Sequence, residues 1–161
     1  PQRLIRILNK VVQKMPDFTA AILGDGEDAE EVKAFIAHNG IENQICCLGF
    51  FDNPYKILQS AKFMIMTSRW EGTPMCALEA LAMGVPIVST PVDGLCDLIE
   101  DGKNGFLSDS DDELAKKCFE IATDAELHDK LSKGAKLMSE AKMNIGDYKK
   151  RVLKAYEDAL N

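Results

Sequence analysis

Short apolar runs alternate with segments of helical period along nearly the whole chain, and this alternation limits the possible folds more than any other feature. The runs are Phe18–Leu23 (FTAAIL), Ile45–Leu48, Phe63–Met66 (FMIM), Pro86–Ser89 and Gly105–Leu107. Between them come helical patterns. Leu4, Ile5, Leu8, Val11, Val12 and Met15 repeat at helix spacing. Further helices are expected over Glu27–His38 and Pro54–Ala61, from Thr73 to Met83, and as a turn at Leu95–Ile99. Three more, near 112–122, 125–142 and 145–159, finish the chain. Strands that are apolar at almost every position are buried on both faces, which predicts an α/β fold with a parallel sheet covered by helices on both sides. Ligands of such sheets bind at the carboxyl ends of the strands. The loops to read are therefore Gly24–Glu27, Gly49–Asn53, Ser68–Pro74 and Thr90–Gly94.

A chain of 161 residues fits one domain. Its formal charge of −7 disfavours a polyphosphate partner, so nucleic-acid binding is not expected. The five cysteines (Cys46, Cys47, Cys76, Cys96 and Cys118) include no CxxC and are odd in number. They read as free thiols acting as small hydrophobes in a reducing, cytoplasmic setting, with neither a disulfide framework nor a zinc site. His38 and His128 fall in polar helices and read as surface residues. No apolar run reaches the roughly 18 residues of a membrane span. The chain opens without an initiator Met, directly in a well-formed helix, which suggests a piece of a longer protein.

The stretch RWEGTPMCALEALAMG, Arg69 to Gly84, carries the chemistry. Thr73 and Pro74 resemble an N-cap followed by proline at the first helical position, and Gly84 is a stop. The helix between is apolar nearly all round and is expected to be buried. Glu79 within it must reach solvent along an edge, pair with a lysine, or accept hydrogen bonds from some other partner, because an unpaired buried carboxylate is costly. The helix amino end offers free N–H groups to an anion, whereas Glu71 beside it favours a ligand with donors. A sugar nucleotide has both an anion and hydroxyl donors.

The string from Glu71 to Glu79, continuing through Ala80-Leu81-Ala82-Met83-Gly84-Val85-Pro86-Ile87-Val88-Ser89, resembles the "EG-x-P…EA-x-A-x-G-x-P-V-V" signature of retaining, metal-independent glycosyltransferases of GT-B architecture, in which two glutamates lie eight positions apart. Gly24-Asp25-Gly26 is similar to that family's G-x-G loop, CCLGF to its strand ending in Leu-Gly, and Asp97–Leu107 (DLIEDGKNGFL) to its E-x-I-x-D-G-x-N-G-x-L segment. The likeness spans nearly all of residues 1–161 and implies one Rossmann-like lobe, the carboxy-terminal donor-binding one. Its amino-terminal edge would be truncated, and its closing helices would begin near 112.

Position by position, the resemblance implies that Glu79 holds the ribose hydroxyls and Glu71 contacts the transferred sugar. It implies that the amides of Gly72, Thr73, Pro74 and Met75 form the turn receiving sugar and diphosphate. Proline lacks an amide hydrogen, so Pro74 can serve there only as part of the turn. Gly24 and Gly26 shape the first loop or merely make a tight turn. Phe51, Asn53 and Lys56 lie where the family builds its nucleobase pocket, although Phe51 could equally be core. The nucleotide sugar would be a substrate, with no cofactor and no metal. The family's diphosphate-binding Arg and Lys sit in a strand and loop before the first helix. Arg3 and Arg6 lie inside that helix and do not match them. The acceptor-binding lobe is also missing, so the 161 residues alone are expected to be inactive. Any contact with the cytoplasmic face of a membrane would come from the missing part. Two other readings stay open: a non-catalytic receiver-like or nucleotide-sensing module, and a sugar-nucleotide epimerase of the same architecture.

Overall fold

The computed structural model describes residues 1–142 and 144–160; the last residue of the expected lobe, Asn161, lies outside the described residues. Elements alternate as the sequence predicts. They are α1 (Gln2–Lys14), β1 (Ala20–Leu23), α2 (Ala29–His38), β2 (Ile45–Gly49), α3 (Pro54–Ser60), β3 (Met64–Met66), α4 (Met75–Ala82), β4 (Ile87–Ser89), α5 (Asp93–Cys96), β5 (Gly105–Leu107), α6 (Asp111–Thr123), α7 (Ala125–Lys142) and α8 (Ile145–Leu160).

All the strand pairs are parallel, but the ladder is not continuous. β1 pairs with β2, and β3, β4 and β5 form a second sheet in that order. β1 and β3 flank a largely apolar gap of about 900 Å³, lined also by Leu4 and Leu8 of α1 and by Ile57 and Leu58 of α3. The two strands run the same way. At their starts, the rings of Phe18 and Phe63 stack with centroids 6.1 Å apart. At their far ends, Asp28 after β1 and Thr67–Trp70 after β3 line one recess with Pro1.

Helices cover both faces, and β3 and β4 prove it residue by residue. Val88 and Ile65 pack in one apolar cluster with α1, α2 and α6, whereas Ile87 and Met66 pack in another with α4, α5 and α7. Neighbouring residues of a strand point to opposite faces, so each sheet face carries its own core. α1 buries Ile5, Ile7, Leu8, Val11 and Val12. Ion pairs clamp it to α6. Arg3 Nε stands 2.6 Å from Asp111 Oδ1, and Lys10 Nζ 2.6 Å from Asp112 Oδ1. α6 starts where Ser110 Oγ accepts the Glu113 amide at 3.3 Å, and three acidic residues follow in the first turn, where the helix dipole favours them.

Three expectations need correction. Thr73 is not the N-cap of α4: Pro74 takes that place in an extended conformation and no side chain caps the helix. α4 is not buried all round. Only the face of Ala77, Ala80 and Leu81 is inward, because one helix packed on one layer hides one stripe, and Met75 is 62% exposed. Cys46, Cys76 and Cys96 are exposed rather than core, and only Cys118 is fully buried. His38 is exposed and His128 partly so, as expected of surface residues, and His128 Nε2 lies 3.0 Å from the Lys62 carbonyl oxygen, tying α7 to the start of β3.

Candidate functional site

The loops after β3 and β4 fix one another at the carboxyl edge. Thr90 is buried just past β4, and its Oγ1 donates to the Ser68 carbonyl at 2.8 Å. The Gly94 amide donates to the Glu71 carbonyl at 3.2 Å. Gly94 also passes so near Gly72 that a side chain could not fit, as a Cβ there would stand 1.6 Å from the Gly72 carbonyl oxygen. The backbone of Glu71-Gly72 is thus held from behind while its other side faces solvent. Pro74 is buried, and its carbonyl accepts the Ala77 and Leu78 amides at 3.1 and 3.3 Å, which starts α4.

Glu71 lies just ahead of α4 and Glu79 one turn into it. Both are half-buried. Their common neighbour is Cys76, whose thiol is pushed up first by partial burial, then by the Glu71 carboxylate and more weakly by Glu79. Glu79 receives a hydrogen bond from the Tyr55 hydroxyl, O to Oε1 3.2 Å. Among the described residues, no cation stands within ion-pair distance of either glutamate. The lysine partner considered for Glu79 is therefore not found, and a neutral phenol takes its place. In return, the hydrogen bond and negative charge of Glu79 push the Tyr55 phenol up.

The remaining sequence candidates divide. Gly24 adopts φ 125°, a conformation that favours glycine, and its amide donates to the Gly49 carbonyl at 2.8 Å, joining the loops after β1 and β2. The Gly26 carbonyl accepts the Ala29 amide at 3.0 Å and starts α2, so its visible part is the turn. Phe51 is 38% exposed, which rules out the core reading. Asn53 occupies the N-cap position of α3 without a side-chain cap bond, and Lys56 is exposed one turn on. The structure therefore brings Glu71, Glu79 and the Gly72–Met75 turn together. Phe51, Asn53 and Lys56 share the α3 side with Tyr55, which meets Glu79. Arg3 pairs with Asp111 on α6 and Arg6 stands 3.9 Å from the same carboxylate, while both also line the recess beside Thr67–Trp70.

Sequence reasoning missed Tyr55 and Cys76. Tyr55 lies 24 residues from Glu79, so no local spacing announces their contact. Cys76 was read as apolar filling of α4. Among the described residues no group of three His, Cys, Asp or Glu is placed to hold a metal ion, and no helix is long and apolar enough to cross a membrane.

Residues 1–138 match the family described as Glycosyl transferases group 1. The poly(glycerol-phosphate) alpha-glucosyltransferase of Bacillus subtilis is 32% identical over 139 residues, a match that takes in 84% of this chain and 21% of that protein. Among solved structures, the C-terminal domain of a group 1 glycosyl transferase family protein (LpcC) from Francisella tularensis superposes with a TM-score of 0.77 at 25% identity, covering 89% of this chain and 79% of that one. Anabaena HepE, solved in complex with UDP and glucose, has a TM-score of 0.88 at 23% identity, covering 98% of this chain and 44% of that one. The chain thus spans about a fifth of the length of the Bacillus subtilis relative.

Proposed function

We propose that this chain, which belongs to the glycosyl transferases group 1 family, is the donor-binding lobe of a retaining glycosyltransferase that moves a sugar from a nucleotide donor to an acceptor. One observation carries the reading: Glu71, just ahead of the uncapped amino end of α4, and Glu79, one turn into it, both act on the thiol of Cys76 in the first turn, beside the carboxyl edge of a parallel sheet. That edge presents N–H groups to a diphosphate and carboxylates to hydroxyls. A fold neighbour that binds UDP and glucose supports a nucleotide-sugar donor.

In this reading Glu79 accepts the ribose hydroxyls and Glu71 orients the transferred sugar. The turn from Gly72 to Met75 receives sugar and diphosphate through its available amides. The loops at Gly24-Asp25-Gly26 and at Phe51, Asn53 and Lys56 border the nucleotide. Departure of the nucleoside diphosphate builds negative charge on phosphate oxygens. Fixed N–H groups at the α4 amino end meet that charge without reorganising, which lowers the barrier. The acceptor attacks on the face from which diphosphate leaves, so anomeric configuration is kept, and no metal or cofactor takes part.

The natural partners are the donor and the rest of the same protein. That remainder would include an acceptor lobe and a strand closing the gap between β1 and β3, with the Arg and Lys that complete the diphosphate site. The short chain would then bind donor weakly and transfer nothing. The setting would be cytoplasmic, with any membrane contact supplied by the other lobe.

The test compares ligands with and without sugar. Glu71→Ala should weaken binding of the sugar nucleotide and leave the bare nucleoside diphosphate unchanged, by calorimetry. Equal losses for both would remove Glu71 from the sugar. In the longer protein, the anomeric signal of the product by NMR decides between retention and inversion.

A further inference from the structure

We propose that Tyr55 is a positioning residue that sets the carboxylate of Glu79 for the ribose, which rests on the donor-binding reading above. Glu79 projects from α4 and Tyr55 from α3, and the phenol donates a hydrogen bond of 3.2 Å to Oε1. A glutamate has three side-chain torsions, and its terminal one is broad. Among the described residues, no ion pair restrains Glu79. The phenol supplies the restraint in a form suited to a ligand. Each carboxylate oxygen accepts about two hydrogen bonds, so Oε1 keeps one site and Oε2 keeps both. A lysine in place of Tyr55 would neutralise the group and compete with the ligand for it. A phenol fixes the plane of the carboxylate and leaves its charge.

The position of Tyr55 adds a second effect. Tyr55 follows Pro54 in the first turn of α3, directly after the loop of Phe50, Phe51 and Asn53, and is itself 44% exposed. The hydrogen bond therefore ties the end of the β2 loop to α4. A nucleotide bound there would meet a ribose acceptor and a base-side loop already in register, with less ordering left for binding to do.

Calorimetry on the 161-residue chain tests this with ADP, CDP, GDP and UDP, taking the tightest binder and its 2′-deoxy form. The wild type should prefer the ribose form, and Glu79→Gln should erase that preference. Tyr55→Phe keeps the ring and removes only the hydroxyl. It should weaken the ribose form roughly threefold to tenfold, the range expected for one net hydrogen bond, and the deoxy form less. In the Glu79→Gln background it should change nothing further. If Tyr55→Phe weakens both forms equally, or neither, or if the two single effects simply add in the double variant, the positioning role is overturned while the ribose role of Glu79 stands. If Glu79→Gln leaves the ribose preference intact, or none of the four diphosphates binds, the donor reading falls and the role of Tyr55 with it.

Discussion

Gly94 lies against Gly72 so closely that no side chain fits between them, with 1.6 Å from a Cβ at Gly94 to the Gly72 carbonyl oxygen. The contact is backbone on backbone, so neither side can yield by a rotamer change. Gly94→Ala should push the Glu71-Gly72 segment outward. Overpacking of this kind costs about 1–3 kcal/mol, and donor affinity should fall with it. Gly72→Ala makes the control, because nothing lies within 4 Å of a Cβ there. Its stability should stay within about 0.5 kcal/mol of wild type, as for an ordinary surface change. Thermal melts of both variants check the contrast.

Cys76 reports on the two glutamates. Although the residue is exposed, partial desolvation pushes its thiol up, then Glu71, then Glu79, so less thiolate is present at pH 8 than in a free cysteine peptide. Alkylation by iodoacetamide should be correspondingly slow. Glu71→Gln removes one negative neighbour, lowers the thiol's pKa and should speed the reaction at pH 8. Bound nucleotide sugar should slow it again. Mass spectrometry at Cys76 follows all three rates.

Cys118 gives an alkaline limit to stability. Burial pushes its thiol up to about 12 from 9.0. Between these values the unfolded chain has released the proton and the folded chain retains it. The unfolded state binds fewer protons there, so stability falls as pH rises above about 9, with a slope near 1.4 kcal/mol per pH unit for this group. Below the unfolded value the group contributes no pH dependence. Cys118→Ala should flatten this limb while lowering stability at neutral pH, since a fully buried side chain is cut back. Urea midpoints from pH 8 to 11 provide the measurement.

Asn104 holds the turn between α5 and β5 from inside. Its Nδ2 donates to the Leu98 carbonyl at 2.8 Å, and its Oδ1 accepts the Glu100 amide at 2.7 Å, with the residue 1% exposed. Asn104→Ala leaves both backbone groups without that partner, at about 1–3 kcal/mol for each one that stays buried. Asn104→Asp can still accept from Glu100 but cannot donate to Leu98, and it brings a charge inside. It should be no better than alanine, as urea unfolding of both variants will tell.

The fold was legible because its signals are local. Val88 and Ile87 sit in a run apolar at almost every position, and that pattern means burial on both faces. Glu71 and Glu79 were legible as a pair for the same reason, being one short segment apart in sequence. What stayed hidden depends on contacts distant along the chain. The meeting of Tyr55 with Glu79, and that of Gly94 with Gly72, has no periodicity to betray it. The exposure of Met75 and Cys76 was missed because composition tells how apolar a helix is, not how many layers pack against it. The break between β1 and β3 was missed because apolar runs announce strands but not their neighbours.

Across that break the β1–β2 pair and the β3–β4–β5 sheet share a core without sharing a ladder. β1 and β3 each present a free row of N–H and C=O groups to the gap between them, and such rows are templates for pairing with any extended chain. Because both strands point the same way, no hairpin from either can fill the space with a parallel strand; only a segment arriving by a crossover can. Until one does, no ladder hydrogen bonds among the described residues join the β1–β2 half to the β3–β4–β5 half, and packing through the shared core couples their opening. Amide exchange in the isolated chain should therefore sort the strands into two protection classes, which merge into one when a strand occupies the gap.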